Sequence, residues 1–199
     1  MTVVALVCSA RRRGNYYSLA QIMLNNLKKK SIETEILNAY NYEITPCSHC
    51  NYECFESPRN CPIRDDVPEI WEKLKEADSC IFAIPTYYGV PSALYRAIIE
   101  REQGILELVG SIPEFRDLEG VWKDKIVAIF VVSNGGGENV KNIILEYFPS
   151  QTKTMAEVFS CCKYGTAGYN SSLAKNKDVV SRAKRLTHNV YQFLKPKKG

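Results

Sequence analysis

No stretch of this 199-residue chain is apolar for long enough to cross a bilayer, and the N-terminus lacks the charged start and small-residue cleavage site of a secretory leader. No membrane partner is expected, and the expected location is cytoplasmic. Charge of one sign is also scarce. The 26 Lys and Arg exceed the 22 Asp and Glu by only +4. The basic residues gather at Arg11–Arg13, at Lys28–Lys30 and at Lys195, Lys197 and Lys198, with no recognition motif beside them, so no nucleic-acid partner is expected. There is no G-x-G-x-x-G and no Walker A pattern, which excludes the usual dinucleotide fingerprint and the P-loop. Histidine is nearly missing. His49 sits inside a cysteine-rich loop and reads as a solvated spectator, with replacement of one cysteine ligand as the alternative, while His188 lies on a predicted helix and reads as structural.

What remains is 45% hydrophobic and 24% charged, a soluble globular composition for one domain spanning 1–199. The stretch 79–101, SCIFAIPTYYGVPSALYRAIIER, organises it. Ser79 to Ile84 is too short for a helix and apolar enough for a buried strand. Pro85 is expected to stop further ladder pairing, and Pro91 to open a helix carrying Leu94, Ala97, Ile98 and Arg101. The intervening loop, Thr86–Val90, holds two adjacent tyrosines, good stacking surfaces at the end of a strand where open α/β sheets bind ligands. Further unbroken apolar runs at 2–8 and 125–132 predict strands covered on both faces, with shorter strands at 33–39 and 155–162. Helical periodicity appears at 19–27, 66–77, 143–148 and 174–194, with Asp65 and Asp66 as cap and dipole partners of the second. Residues 102–123 have little period and are expected to form a surface excursion toward another subunit. The alternation predicts a doubly wound, five-stranded parallel sheet in a three-layer α/β/α sandwich.

Two loops look fitted to a ligand. After the first strand, SARRRGNYYS leads into a helix, whose unpaired N–H groups and dipole favour an anion. Ser9, Asn15 and Ser18 add hydrogen bonds and Arg11 adds charge, a set suited to a monophosphate. After the strand at 125–132, SNGGGEN carries Gly135, Gly136 and Gly137, which let a backbone come close to a flat group.

Cysteine, by contrast, is plentiful. Four of the eight form the spacing C-x2-C-x3-C-x6-C at Cys47, Cys50, Cys54 and Cys61, the last followed by Pro62, within a loop over 45–66. Four soft thiolates in one compact run suit a single metal centre. A [4Fe–4S] cluster fits the run ending in Cys-Pro; zinc is the alternative, and free or redox-switching thiols a third reading. Cys8, Cys80, Cys161 and Cys162 fall in or beside apolar strands and read as small buried hydrophobes.

Together these residues resemble a known family. CSARRRGNYYS and PTYYGVPSALYRAIIER are similar to the phosphate loop and flavin loop of the NAD(P)H-dependent FMN reductases, and the cysteine loop resembles that of their iron–sulfur flavoprotein branch. The resemblance implies a flavodoxin-like fold, FMN at the carboxyl edge of the sheet, NAD(P)H as co-substrate, and a homodimer or homotetramer. It assigns Ser9, Arg11, Asn15, Tyr16 and Ser18 to the phosphate end. Pro85, Thr86, Tyr87, Tyr88, Gly89 and Val90 would line the flavin, and Asn134, Gly135, Gly136 and Gly137 would close the ring site. Cys8 replaces a glycine, and Tyr16 stands where a small hydroxyl residue is expected. The expected function is an FMN oxidoreductase that passes electrons to a small acceptor or a redox carrier protein through an iron–sulfur cluster. A cluster-free flavin or quinone reductase and a non-catalytic flavodoxin-like carrier are the alternatives. No dedicated acid–base residue is needed, since the flavin supplies the hydride chemistry.

Overall fold

A computed structural model describes residues 1–48, 61–102, 121–122, 124–148, 150, 152–164 and 172–194. The first strand, β1 (Thr2–Val7), shows why the apolar runs do not alternate. Val3, Ala5 and Val7 enter one core, while Val4, Leu6 and Cys8 enter a second on the opposite face. Both faces are covered, so every position is apolar. The same division runs through β3 (Ser79–Tyr87) and β5 (Ile126–Ser133), while β2 (Glu33–Asn38) and β6 (Lys153–Ser160) flank them as the less buried edges.

Helices α1 (Asn15–Lys28) and α6 (Lys177–Leu194) cover the first face through Leu19, Met23, Leu27, Val179, Ala183 and Val190. The other face takes α2 (Val67–Glu76), α3 (Ala93–Ile99) and α4 (Gly137–Tyr147). A four-residue α5 (Cys161–Tyr164) follows β6. The strand order is β2-β1-β3-β5-β6, every pair along it parallel. That is the flavodoxin-like doubly wound order with its reversal beside β1 and β3, where ligands bind. Among the described residues, no helix is long and apolar enough to cross a membrane.

The sheet has six strands rather than the expected five, because a two-residue β4 (Val90–Pro91) pairs antiparallel with β3. Pro85 does not end its strand. It still faces Val132 in the ladder, and β3 continues to Tyr87 before turning back. Proline removes one donor, which ends pairing only if the next residues find no other partner. Pro91 consequently belongs to β4, and the cap of α3 is Ser92, whose Oγ accepts from Tyr95 N–H at 3.4 Å and donates to Cys8 C=O at 2.9 Å. The last strand ends at Ser160, not at 162. Cys161 is buried, but Cys162, expected to be buried too, is exposed on α5, because a helical turn swings successive side chains apart. Of the 102–123 segment, Glu102, Val121 and Trp122 are described, and all three are buried rather than on the surface.

Candidate functional site

The carboxyl ends of β1, β3 and β5 open into a cavity of about 610 Å³, within the range of small-molecule and cofactor sites. Ser9, Arg11, Gly14, Asn15 and Tyr16 form its first wall, Pro85 to Gly89 the second, and Val132 to Gly136 with Cys161 the third. The expected residues Ser18, Val90 and Gly137 lie outside this lining. Gly137 packs instead, since a Cβ there would run into Ser133 and Val158.

The first wall is a strand-to-helix turn. Ser9 Oγ accepts the Arg11 N–H at 3.2 Å, which folds the loop back toward the helix start. Gly14 caps α1 with extended backbone and supplies no side-chain cap hydrogen bond. A helix start of this kind favours an anion through its N–H groups and dipole. Asn15 is buried, and its Oδ1 accepts Leu173 N–H at 3.0 Å, tying the start of α1 to the segment before α6.

Tyr16 is turned inward. Its hydroxyl donates to Val132 C=O and accepts Val132 N–H at 3.1 Å, while the Thr86 backbone bonds to it as well. The ring stacks on Phe130 at 6.1 Å. Burial pushes the phenol far above its usual range, so it remains a neutral bridging group. The side chain lies between β3 and β5 where their ladder ends.

The second wall is a two-residue hairpin. Tyr87 faces Val90, and the turn residues Tyr88 and Gly89 have φ of 53° and 77°. Positive φ at both central positions matches the twist of the flanking strands, as in type I′ turns. Tyr87 is half exposed and Tyr88 entirely so. Beneath them Thr86 Oγ1 is buried with no hydrogen-bond partner among the described residues. The third wall closes on the second at Gly136, whose φ is 71°. A Cβ added there would lie 2.6 Å from Gly89 Cα. Asn139 Nδ2 then donates to Gly89 C=O at 2.7 Å, pinning hairpin to helix α4. Of the lining, Val132 and Cys161 carry no signal in the sequence. Val132 continues an apolar strand, and Cys161 reads as part of the next.

A second arrangement sits at the far end of α3. Cys47 and Cys61 are half-buried thiols there; Cys50, Cys54 and His49 lie outside the described residues. Glu100 Oε1 accepts Cys47 N–H at 2.7 Å. Arg101 pairs with Asp65 at 2.5 Å, the two side chains being 3% and 0% exposed. Asp65, expected only to cap a helix, does so by accepting Val67 N–H at 3.2 Å, but its chief role is this ion pair. Asp66 makes no cap bond and instead accepts Glu43 N–H at 2.7 Å. Among the described residues, no group of three side chains is placed to hold a metal ion.

The sequence profile of the NADPH-dependent FMN reductases matches residues 1–164. An iron–sulfur flavoprotein of Methanocaldococcus jannaschii is 31% identical over 199 residues, with 98% of each chain covered. Another, of Archaeoglobus fulgidus, is 23% identical over 212 residues, covering 100% of this chain and 98% of its own. Among solved structures, the NAD(P)H:quinone oxidoreductase of Methanothermobacter marburgensis superposes with a TM-score of 0.69 at 15% identity, covering 96% of both chains. An NADH:FMN oxidoreductase in its apo form gives 0.65 at 15% identity, covering 99% of this chain and 91% of its own. At such identities the superpositions establish the shared fold.

Proposed function

Because this chain belongs to the NADPH-dependent FMN reductase family, we propose that the cavity at the carboxyl edge of its sheet is the FMN site, and that the cysteine loop carries an iron–sulfur cluster. The protein is an FMN-dependent oxidoreductase that uses NAD(P)H. One observation carries the assignment of the site. The start of α1, whose cap residue Gly14 gives no side-chain bond, and the buried Thr86 hydroxyl, without a partner among the described residues, line the same cavity. A phosphate suits the first and a polar ligand atom the second, since a buried hydroxyl without a partner is costly.

In this reading Ser9, Arg11, Asn15 and the first turn of α1 hold the phosphate. Pro85 to Gly89 and Asn134 to Gly136 enclose the ring, with Thr86 giving a hydrogen bond. Gly136 lets the two loops meet closely. Tyr16 supports from behind, its hydroxyl committed to β5, and Ser18, Val90 and Gly137 shape the walls without entering them. Bound FMN supplies hydride acceptance from a nicotinamide and onward delivery of the electrons. The chain's own residues position it, exclude water from one side and leave the side of Tyr87 and Tyr88 open for the co-substrate.

For the cysteine loop, support comes from the donor set and from relatives named iron–sulfur flavoproteins. Cys47, Cys50, Cys54 and Cys61 would hold a [4Fe–4S] centre that passes electrons to a small acceptor or a carrier protein. A homodimer or homotetramer fits the exposed Val90 and Ile143.

Anaerobic purification tests both parts. Chromatography of the released flavin should show FMN; mainly FAD would overturn the phosphate loop. Metal analysis should give about four irons and four sulfides per chain. Stoichiometric zinc without sulfide would leave a cluster-free flavin reductase. Arg11→Ala should weaken FMN binding by roughly 1–3 kcal/mol, the range for a lost charged hydrogen bond.

A further inference from the structure

The end of α3 holds two chain segments that are far from it in sequence. Glu100 Oε1 accepts Cys47 N–H at 2.7 Å. Arg101 Nη1 donates to Thr45 C=O at 3.3 Å and to Asp65 Oδ2 at 2.5 Å. Asp65 Oδ2 also accepts Thr45 N–H at 2.8 Å, which closes a small ring of bonds between residues 45, 65 and 101. The other amino group of Arg101, Nη2, lies 4.0 Å from Cys61 Sγ. Both ends of the cysteine loop are therefore seated on one helix terminus, and the cation that seats them is almost wholly withdrawn from water.

The chemistry here needs arginine in particular. A guanidinium is planar and always charged, and it offers its donors as a rigid fork, so one group can serve a carbonyl, a carboxylate and a sulfur at once. Lysine offers a point charge on a flexible stem and cannot reproduce the fork. A cation just beyond the C-cap of α3 also meets the negative end of the helix dipole. An ion pair this buried is weak evidence for stability as such, because desolvation offsets much of the attraction. Its value lies in fixing geometry.

Resting on the cluster reading given above, we propose that Arg101 is the positioning residue of the cysteine centre. Its Nη1 draws the two strands of the loop's neck together, so that Cys47 and Cys61 are presented from a common base. Its Nη2 directs a positive N–H toward the Cys61 sulfur. Hydrogen bonds and charge at ligand sulfurs favour the more reduced, more negative state of a cluster. Arg101 thus holds the ligands and raises the reduction potential together. The opposite end of the same helix is anchored at Ser92 to the C=O of Cys8, beside the flavin-side cavity. One rigid helix thereby carries the neck of the cysteine loop at one end and the cavity's hairpin at the other.

The test uses the full chain, reconstituted anaerobically with ferrous iron and sulfide, in three forms: parent, Arg101→Lys, and the double variant Arg101→Gln with Asp65→Asn. The double variant removes both charges, so no lone buried carboxylate is left to unfold the chain. Bound FMN in each form reports that the domain is intact. The expected result is parental FMN throughout and several-fold less iron and sulfide in the double variant. Arg101→Lys should retain part of the iron, with its reduction midpoint, followed by the spectrum of the reduced centre, moved to more negative potential. Parental iron content in the double variant together with an unmoved midpoint in Arg101→Lys would overturn the role of Arg101 and leave the cluster standing. A parent that takes up no iron under these conditions would overturn the cluster and this role with it.

Discussion

Replacing Tyr16 by Phe removes one oxygen, and the structure says where the loss is felt. The β3–β5 ladder ends with Pro85 opposite Val132, and Pro85 has no N–H to give. Beyond that pair β3 turns away to meet β4. The Tyr16 hydroxyl fills the fork, donating to Val132 C=O and accepting Val132 N–H at 3.1 Å. Both groups sit in a buried residue, 6% exposed. Leaving a buried backbone group unpaired costs about 1–3 kcal/mol. Water entering from the adjoining cavity recovers part of that, so the net loss for Tyr16→Phe should be about 1–3 kcal/mol in total. In a chain of this length, each kcal/mol lowers Tm by roughly 2–4 °C. Urea unfolding of the flavin-free protein is the assay, since bound FMN would itself stabilise the fold. Trp71 and Trp122, both fully buried, report the transition. The midpoint should fall at unchanged slope, the signature of altered stability rather than altered compactness. FMN affinity should change little, because the hydroxyl faces the strands. Parental stability combined with a large loss of FMN affinity would show that the hydroxyl serves the ligand, and would refute the wedge.

Gly136→Ala should weaken FMN binding and lower stability by at least the ~1–2 kcal/mol of left-handed backbone, because its Cβ would also meet Gly89 Cα at 2.6 Å. Gly135→Ala, with nothing within 4 Å of its Cβ, should be close to parental in FMN titrations; equal losses at the two positions would refute the close approach. Glu102, flanked by Trp122 and Tyr147 and facing Tyr95, is pushed by burial from 4.5 up to about 8, against the lowering effect of the Trp122 N–H. The folded state then keeps a proton that the unfolded chain releases, so stability is fully present below about 4.5 and declines as pH rises toward about 8. Glu102→Gln should flatten that decline in urea midpoints measured across the window, and parallel profiles would refute it.

The sequence shows the sheet plainly because burial on both faces leaves long apolar runs, as at Val3–Val7 and Ile126–Val132, that nothing else in a small domain explains. The edges are less legible. β6 is only half covered, so its end at Ser160 could not be told from the apolar Cys161, and the exposed Cys162 was expected inside. The hairpin is concealed by its chemistry, since Tyr-Gly stands where Asn-Gly or Asp-Gly would have announced a tight turn. The three glycines flag a loop, but only Gly136 takes positive φ and only tertiary structure says which. Arg101 is the least legible of all. It continues the helical period of Leu94, Ala97 and Ile98, and its partner Asp65 lies 36 positions away beside an acidic neighbour that the sequence alone offers equally as a cap. Local pattern carries no information on a contact of that separation.

The hairpin also shows how strain and function meet in this fold. Tyr88 holds φ of 53°, a conformation that costs a non-glycine residue about 1 kcal/mol or more. Positive φ in a core is commonly repaid by packing, yet this ring is entirely in solvent and buries nothing. What keeps the turn is next to it. Gly89 accepts from Asn139 at 2.7 Å and abuts Gly136, and Ser92 locks the start of α3 to β1. These bonds determine the turn from both sides, so Tyr88 must follow whatever conformation they impose. Asparagine, aspartate or glycine would follow at less cost. An aromatic ring held there without a folding benefit fits a surface for something outside the chain. Under the proposed function that is the nicotinamide co-substrate at the cavity mouth, where a flat face offers stacking beyond simple area burial. Rigid staples on glycine and serine thus set the position, and the strained tyrosine presents the contact.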